Sequence, residues 1–181
     1  ELAYAEARKK FLPDFDVDAK EPHLVYVARD IAGDDAWGRI SRVSDACLHQ
    51  GQVKFVAALT ERGVWHDSMK AVIKTIPLDA PNAKNQIKTC CLLNHMITFH
   101  LHGKNMLRGD AKSIGRDLQL PSDVVARFLE LFTTSMGAGS RDSKYARSKQ
   151  GKDKCMVYML LLYMMSQGRN MKIGSIKPIV E

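Results

Sequence analysis

Residues 110–150 read DAKSIGRDLQLPSDVVARFLELFTTSMGAGSRDSKYARSKQ, and the order of elements in this stretch decides the fold. Asp110 has the short oxygen-bearing side chain that accepts from the free amides of a helix start, and Ile114 and Leu118 follow on one face. Leu120-Pro121-Ser122 reads as a tight turn, because proline cannot continue the helix before it. A second helix then runs to Phe132, its buried stripe formed by Val124, Val125, Phe128, Leu129 and Phe132. TTSM and KYARS flank the Gly-rich segment 137–143, and β-branched or aromatic residues around such a gap read as a hairpin. A short helix, a proline turn and a second helix make a helix-turn-helix.

Upstream, Asn82 is positioned to cap a long helix through His102, which Gly103 ends. Its interior, CCLLNHMITFHL, is apolar on nearly every side and belongs at the centre of a core. That helix before the helix-turn-helix and the hairpin after it make a winged helix. Downstream the pattern begins again. KDKCMVYMLLLYMMSQ is another apolar helix, Met171 to Ile173 a short strand, and Gly174-Ser175 a cap for SIKPIVE. A second winged helix ending there lacks its recognition helix and wing. Because the chain opens on Glu1, it reads as a portion of a longer protein.

The first 80 residues are less patterned. ELAYAEARKKFL reads as a short helix stopped at Pro13, and the acidic segment 14–22 as a connector. HLVYVARDI suggests a strand or extended segment. Asp34 or Asp35 is placed to cap a helix through Cys47, carrying Trp37, Ile40, Val43 and Cys47 on one face. Gln52 to Arg62 and Val64 to Ile76 are two more short helices, ended by Gly63 and Pro77. The expected fold is mainly α. A helical linker spans residues 1–79, a first winged helix residues 80–150, and the start of an incomplete second copy residues 151–181.

The 181 residues are 45% hydrophobic and 26% charged, a globular balance and not a disordered one. The longest apolar run, Cys155 to Met165, is far short of the roughly 20 residues a bilayer span needs. Cys47, Cys90, Cys91 and Cys155 suggest no disulfide framework and read as reduced thiols of an intracellular protein. The net charge of +7 is unevenly spread: residues 1–50 hold 7 basic and 10 acidic residues, residues 51–181 hold 20 and 10. Residues 137–154 alone carry six cations against two carboxylates. That basic stretch falls on the hairpin and the start of the next helix, where charge and architecture together point to a polyanion.

The stretches WHDSMKAVIKTIPLDAPNAKNQIKTCCLLNHMITF, LPSDVVARFLELFTT and RSKQGKDKCMVYMLLLYMMSQGRNMKIGSIKPIVE cover about residues 64–181. They resemble the TFIIE-like tandem winged-helix region of the forty-nine-kilodalton subunit specific to RNA polymerase I. The resemblance implies a preceding linker that crosses the polymerase cleft and a tandem winged helix that binds double-stranded DNA. It implies partnership with other polymerase I subunits, support of initiation and elongation on ribosomal DNA, and a nuclear, nucleolar location.

For DNA the first candidates are Arg141, Lys144, Arg147 and Lys149 on the wing, then Lys152 and Lys154 at the next helix start. Lys112, Arg116 and Arg127 lie on the helix-turn-helix. No base-reading set stands out, so backbone-dominated, weakly specific binding is expected. The alternative for these cations is a solvated polar face. Cys90, Cys91, His95, His100 and His102 form no CxxC or HxxxH pair, and core thiols with histidines near a helix end account for them without zinc. Phosphate-loop, dinucleotide and nucleophile-elbow signatures are absent, so no enzyme, cofactor or small-molecule substrate is expected. The competing readings are a protein-docking scaffold with a solvated wing, and a dimeric helix-turn-helix regulator that binds symmetric half-sites.

Overall fold

A computed structural model describes residues 10–20, 25–62, 65–137 and 143–167. The described residues are mainly helical, with one small sheet. Helices α1 (Ala28–Ala32), α2 (Asp34–Gln50), α3 (Gln52–Arg62) and α4 (Asp67–Thr75) lead into the 20-residue α5 (Ala83–His102). Then come β1 (Met106–Arg108), α6 (Ala111–Leu118), α7 (Ser122–Phe132), β2 (Thr134–Ser135), β3 (Lys144–Ala146) and α8 (Lys149–Ser166). The sheet is antiparallel in the order β1-β3-β2.

α5 is central because it has no polar face to offer water. Twelve of its residues are buried, among them Ile87, Leu92, Leu93, Met96 and Phe99. α8 lies along it in the most extensive helix pairing among the described elements, and α2 packs it as well. Phe99, Phe128, Phe132 and Tyr158 join α5, α7 and α8 in an aromatic cluster with ring centroids 5.3–6.4 Å apart. Such pairs add roughly 0.5–1.5 kcal/mol each beyond their buried area. α8 can approach this closely because Gly151 sits in its first turn: a Cβ there would run into the Phe132 carbonyl oxygen.

The α6–α7 corner follows the sequence expectation. The Asp110 carboxylate accepts from the Ser113 amide at 2.7 Å. Gln119 closes α6 in the left-handed region at φ 56°, and the Leu120 amide returns to the Gly115 carbonyl at 2.8 Å. Gly115 is required by the approach of the turn, since a Cβ would stand 2.7 Å from the Leu120 oxygen. The Ser148 hydroxyl caps α8 by accepting from the Gly151 amide at 3.0 Å.

Three expectations change. HLVYVARDI is not a strand over its second half: Ala28, Ile31 and Ala32 are buried at helical spacing, and only Val27 stays extended, as the N-cap of α1. Neither Asp34 nor Asp35 caps α2. Gly33 holds that position at φ 75°, and both aspartates lie in the first turn, where their charge suits the helix dipole. Asn82 stands at the N-cap of α5 without a side-chain bond. The helices before α5, expected to form a linker, share the core: one buried cluster runs unbroken from Ala28 through Ile40, Phe55 and Ile73 to Phe99 and Leu162. Asn94 ties α4 to α5 by accepting from the His66 amide at 2.9 Å. The expected helix at 1–12 lies largely, and the strand and helix expected at 171–181 entirely, outside the described residues.

Candidate nucleic-acid interface

A cation contacts a phosphate only if its charge is not already spent inside the fold, and the nine candidates divide on that criterion. Arg147 is 6% exposed. β3 delivers it under the C-terminal end of α5, where its guanidinium donates to the carbonyls of His100 (3.4 Å) and Gly103. It also lies 5.0 Å from the Phe99 ring centroid. It neutralises the orphan carbonyls of a helix end and is not open to a phosphate, which corrects its assignment to the wing surface.

Arg127 of α7 donates to the carbonyls of Ile31 (3.0 Å) and Asp30 (3.1 Å) and pairs with Glu130 at 2.7 Å. Arg39 of α2 reaches Asp123 of α7 at 3.0 Å. α1 and α2 are thereby pinned on the helix that a helix-turn-helix would present to a groove, and Arg127 serves that packing. At the start of α8, Lys152 donates to Asn105 Oδ1 at 2.6 Å. Lys154 lies 5.5 Å from the Tyr158 ring centroid, and burial together with nearby Arg127 holds its pKa below the usual lysine range.

Lys144 and Lys149 are exposed at the hairpin and the start of α8, and Lys112 and Arg116 are exposed on α6. Arg141 lies outside the described residues. Beside these stand two exposed cations that were not among the sequence candidates, Lys104 before β1 and Arg108 on it. Arg108 stands directly across from Lys144 in the sheet. The missing signal was β1 itself, three residues of which only Leu107 points inward.

An open groove of about 660 Å³ runs between the start of α4, the end of α5, β1 and α6, with Trp65, His66, Lys104 and Arg108 among its walls. Among the described residues no three His, Cys, Asp or Glu side chains gather to hold a metal ion. All four cysteines are buried and free. Burial pushes the Cys47 thiol up to about 11, Cys90 and Cys155 to about 12, and Cys91 well above its ordinary value, so none is a thiolate nucleophile at neutral pH. Burial lowers His95 to about 4 and depresses His66 and His100. Among the described residues no helix is long and apolar enough to cross a membrane.

No curated protein sequence matches the chain. The model of one family, the A49-like RNA polymerase I associated factors, matches residues 1–177, which takes in α1 to α8 and the sheet together. The chain belongs to the A49-like RNA polymerase I associated factor family.

Proposed function

We propose that this chain is a non-catalytic subunit of RNA polymerase I that holds double-stranded DNA through a winged helix and supports initiation and elongation of ribosomal RNA synthesis in the nucleolus. Family membership ties it to polymerase I, hence to its other subunits and to the nucleus. The observation that carries the DNA reading is the coincidence of a fold order with a charge. From α5 to β3 the chain runs helix, strand, helix, helix, strand, strand, with a sheet ordered β1-β3-β2, an order that supports the winged-helix reading. Around it Lys112, Arg116, Lys144 and Lys149 stand exposed, and no salt bridge among the described residues engages them.

Phosphates neutralise those cations and release counterions, so affinity falls with salt at a slope near −0.9 per contact. α7 offers no free cation to read bases, which favours backbone contacts and weak sequence preference. The test is fluorescence anisotropy of a labelled duplex across a salt series, comparing the chain with an Arg141→Ala, Lys144→Ala, Lys149→Ala variant. A flatter slope in the variant supports the reading. A folded wild-type chain that does not bind at low salt removes it and leaves a docking scaffold on the polymerase.

A further inference from the structure

We infer that duplex phosphates run along the β1–α6 edge, held by Lys104, Arg108, Lys112, Arg116 and Lys144, and that α7 does not enter the major groove. This rests on the DNA-binding reading above and names its surface. The first support is that α7 is already engaged. Its Asp123 is bridged by Arg39, and its Arg127 holds the last carbonyls of α1. α1 and α2 thus cover the Asp123–Arg127 side of α7, and its exposed positions Ala126 and Glu130 offer no cation to a groove.

The second support is the edge itself. The five cations are exposed, and among the described residues none takes part in an ion pair or a side-chain hydrogen bond. Lys112 and Arg116 are four apart on α6 and share one face of the helix. Two carboxylates accompany them: Asp110, occupied as the α6 cap, and exposed Asp117. The cationic excess therefore persists.

The third support is a like-charge pair. Ladder bonds run from the Gly109 amide to the Ser143 carbonyl and from the Arg147 amide to the Asn105 carbonyl. The intervening Arg108–Lys144 pair thus falls at a non-hydrogen-bonded position, where opposing side chains stand closest. Two cations directly opposite each other weaken a sheet, and an anion between them reverses the sign of that interaction.

The experiment uses the full chain and a labelled duplex of mixed sequence across a salt series. Two variants are compared with the wild type: Lys104→Gln with Arg108→Gln, and Ala126→Glu, which adds a negative charge to the exposed face of α7. The edge variant is expected to weaken binding to all duplexes alike and to lower the salt slope by roughly two, about one per cation. It melts no lower than the wild type, because Arg108→Gln removes the cross-strand repulsion. Ala126→Glu is expected to leave affinity within twofold. An edge variant with an unchanged slope, or an Ala126→Glu variant that binds more weakly than the edge variant, overturns the placement while leaving DNA binding intact. A folded wild type that binds no duplex overturns both readings.

Discussion

Replacing Arg147 by alanine tests whether a cation in the densest basic stretch belongs to the surface or to the core. The wild-type guanidinium donates to the carbonyls of His100 and Gly103 at the end of α5 and covers the Phe99 ring. Hydrogen bonds from a charged donor contribute roughly 1.5–3 kcal/mol each, and a desolvated cation–ring contact about 2 kcal/mol. Against this stands the desolvation of a buried charge, the main cause of the lowered Arg147 pKa. The balance is a loss of about 2–4 kcal/mol, within the range for breaking a buried polar network. For a chain of this size that corresponds to a fall in Tm of roughly 4–16 °C. Urea unfolding followed by circular dichroism measures the stability. Duplex anisotropy below the variant's melting range measures the salt slope, expected to match the wild type. Arg147→Lys is expected to recover only part of the loss, since an ammonium cannot serve the same carbonyls in a planar fork. A variant as stable as the wild type to within about 0.5 kcal/mol, with a slope reduced by about one, would place Arg147 on the surface and not in the core.

Burial holds His95 neutral down to about pH 4, against an ordinary value of 6.5. The unfolded chain takes up the proton first, so stability is full above pH 6.5 and falls by up to about 3 kcal/mol as pH drops toward 4. Urea midpoints at pH 7 and pH 5 should show the decline, and His95→Gln should flatten it; an identical decline in both proteins would assign the effect elsewhere. Gly115→Ala forces a Cβ against the Leu120 carbonyl oxygen at 2.7 Å and is expected to destabilise by about 1–3 kcal/mol; a neutral outcome would mean that the α6–α7 turn yields freely. Asp110→Ala removes the cap on the Ser113 amide, and denaturant curves should show a loss of about 1 kcal/mol.

What could be read in advance was whatever local chemistry determines. Asp110, Pro121 and the Val124–Phe132 stripe define α6, the turn and α7 within a few residues of one another, and α5 and α8 are legible because no arrangement leaves their sides in water. The candidate interface was less legible because exposure is a long-range property. Nothing near Arg127 in sequence shows that its partners are the carbonyls of residues 30 and 31, and nothing near Lys152 points to Asn105. The strand β1 was missed for a related reason. Three residues carry too little alternation to register, and their partner in the ladder is about 38 positions away.

Charge density along the chain and charge available at the surface are therefore separate quantities here. Of the cations in residues 137–154, Arg147, Lys152 and Lys154 are turned to the fold's own carbonyls, amide side chain and aromatic ring. The open cations around the sheet, Lys104, Arg108, Lys112, Arg116, Lys144 and Lys149, come from four different elements and one connecting segment, and only the sheet gathers Arg108 to Lys144. The acidic first fifty residues take part in this sorting. They supply α1 and α2, whose backbone carbonyls and Arg39 engage α7. A helix so occupied stabilises the fold through its apolar stripe and its ion pairs at once, and the proposed phosphate contacts fall to cations outside it. The proposed interface would track a backbone, because its donors are long, flexible side chains on a strand, a helix and a hairpin, with no single rigid element aimed at base edges.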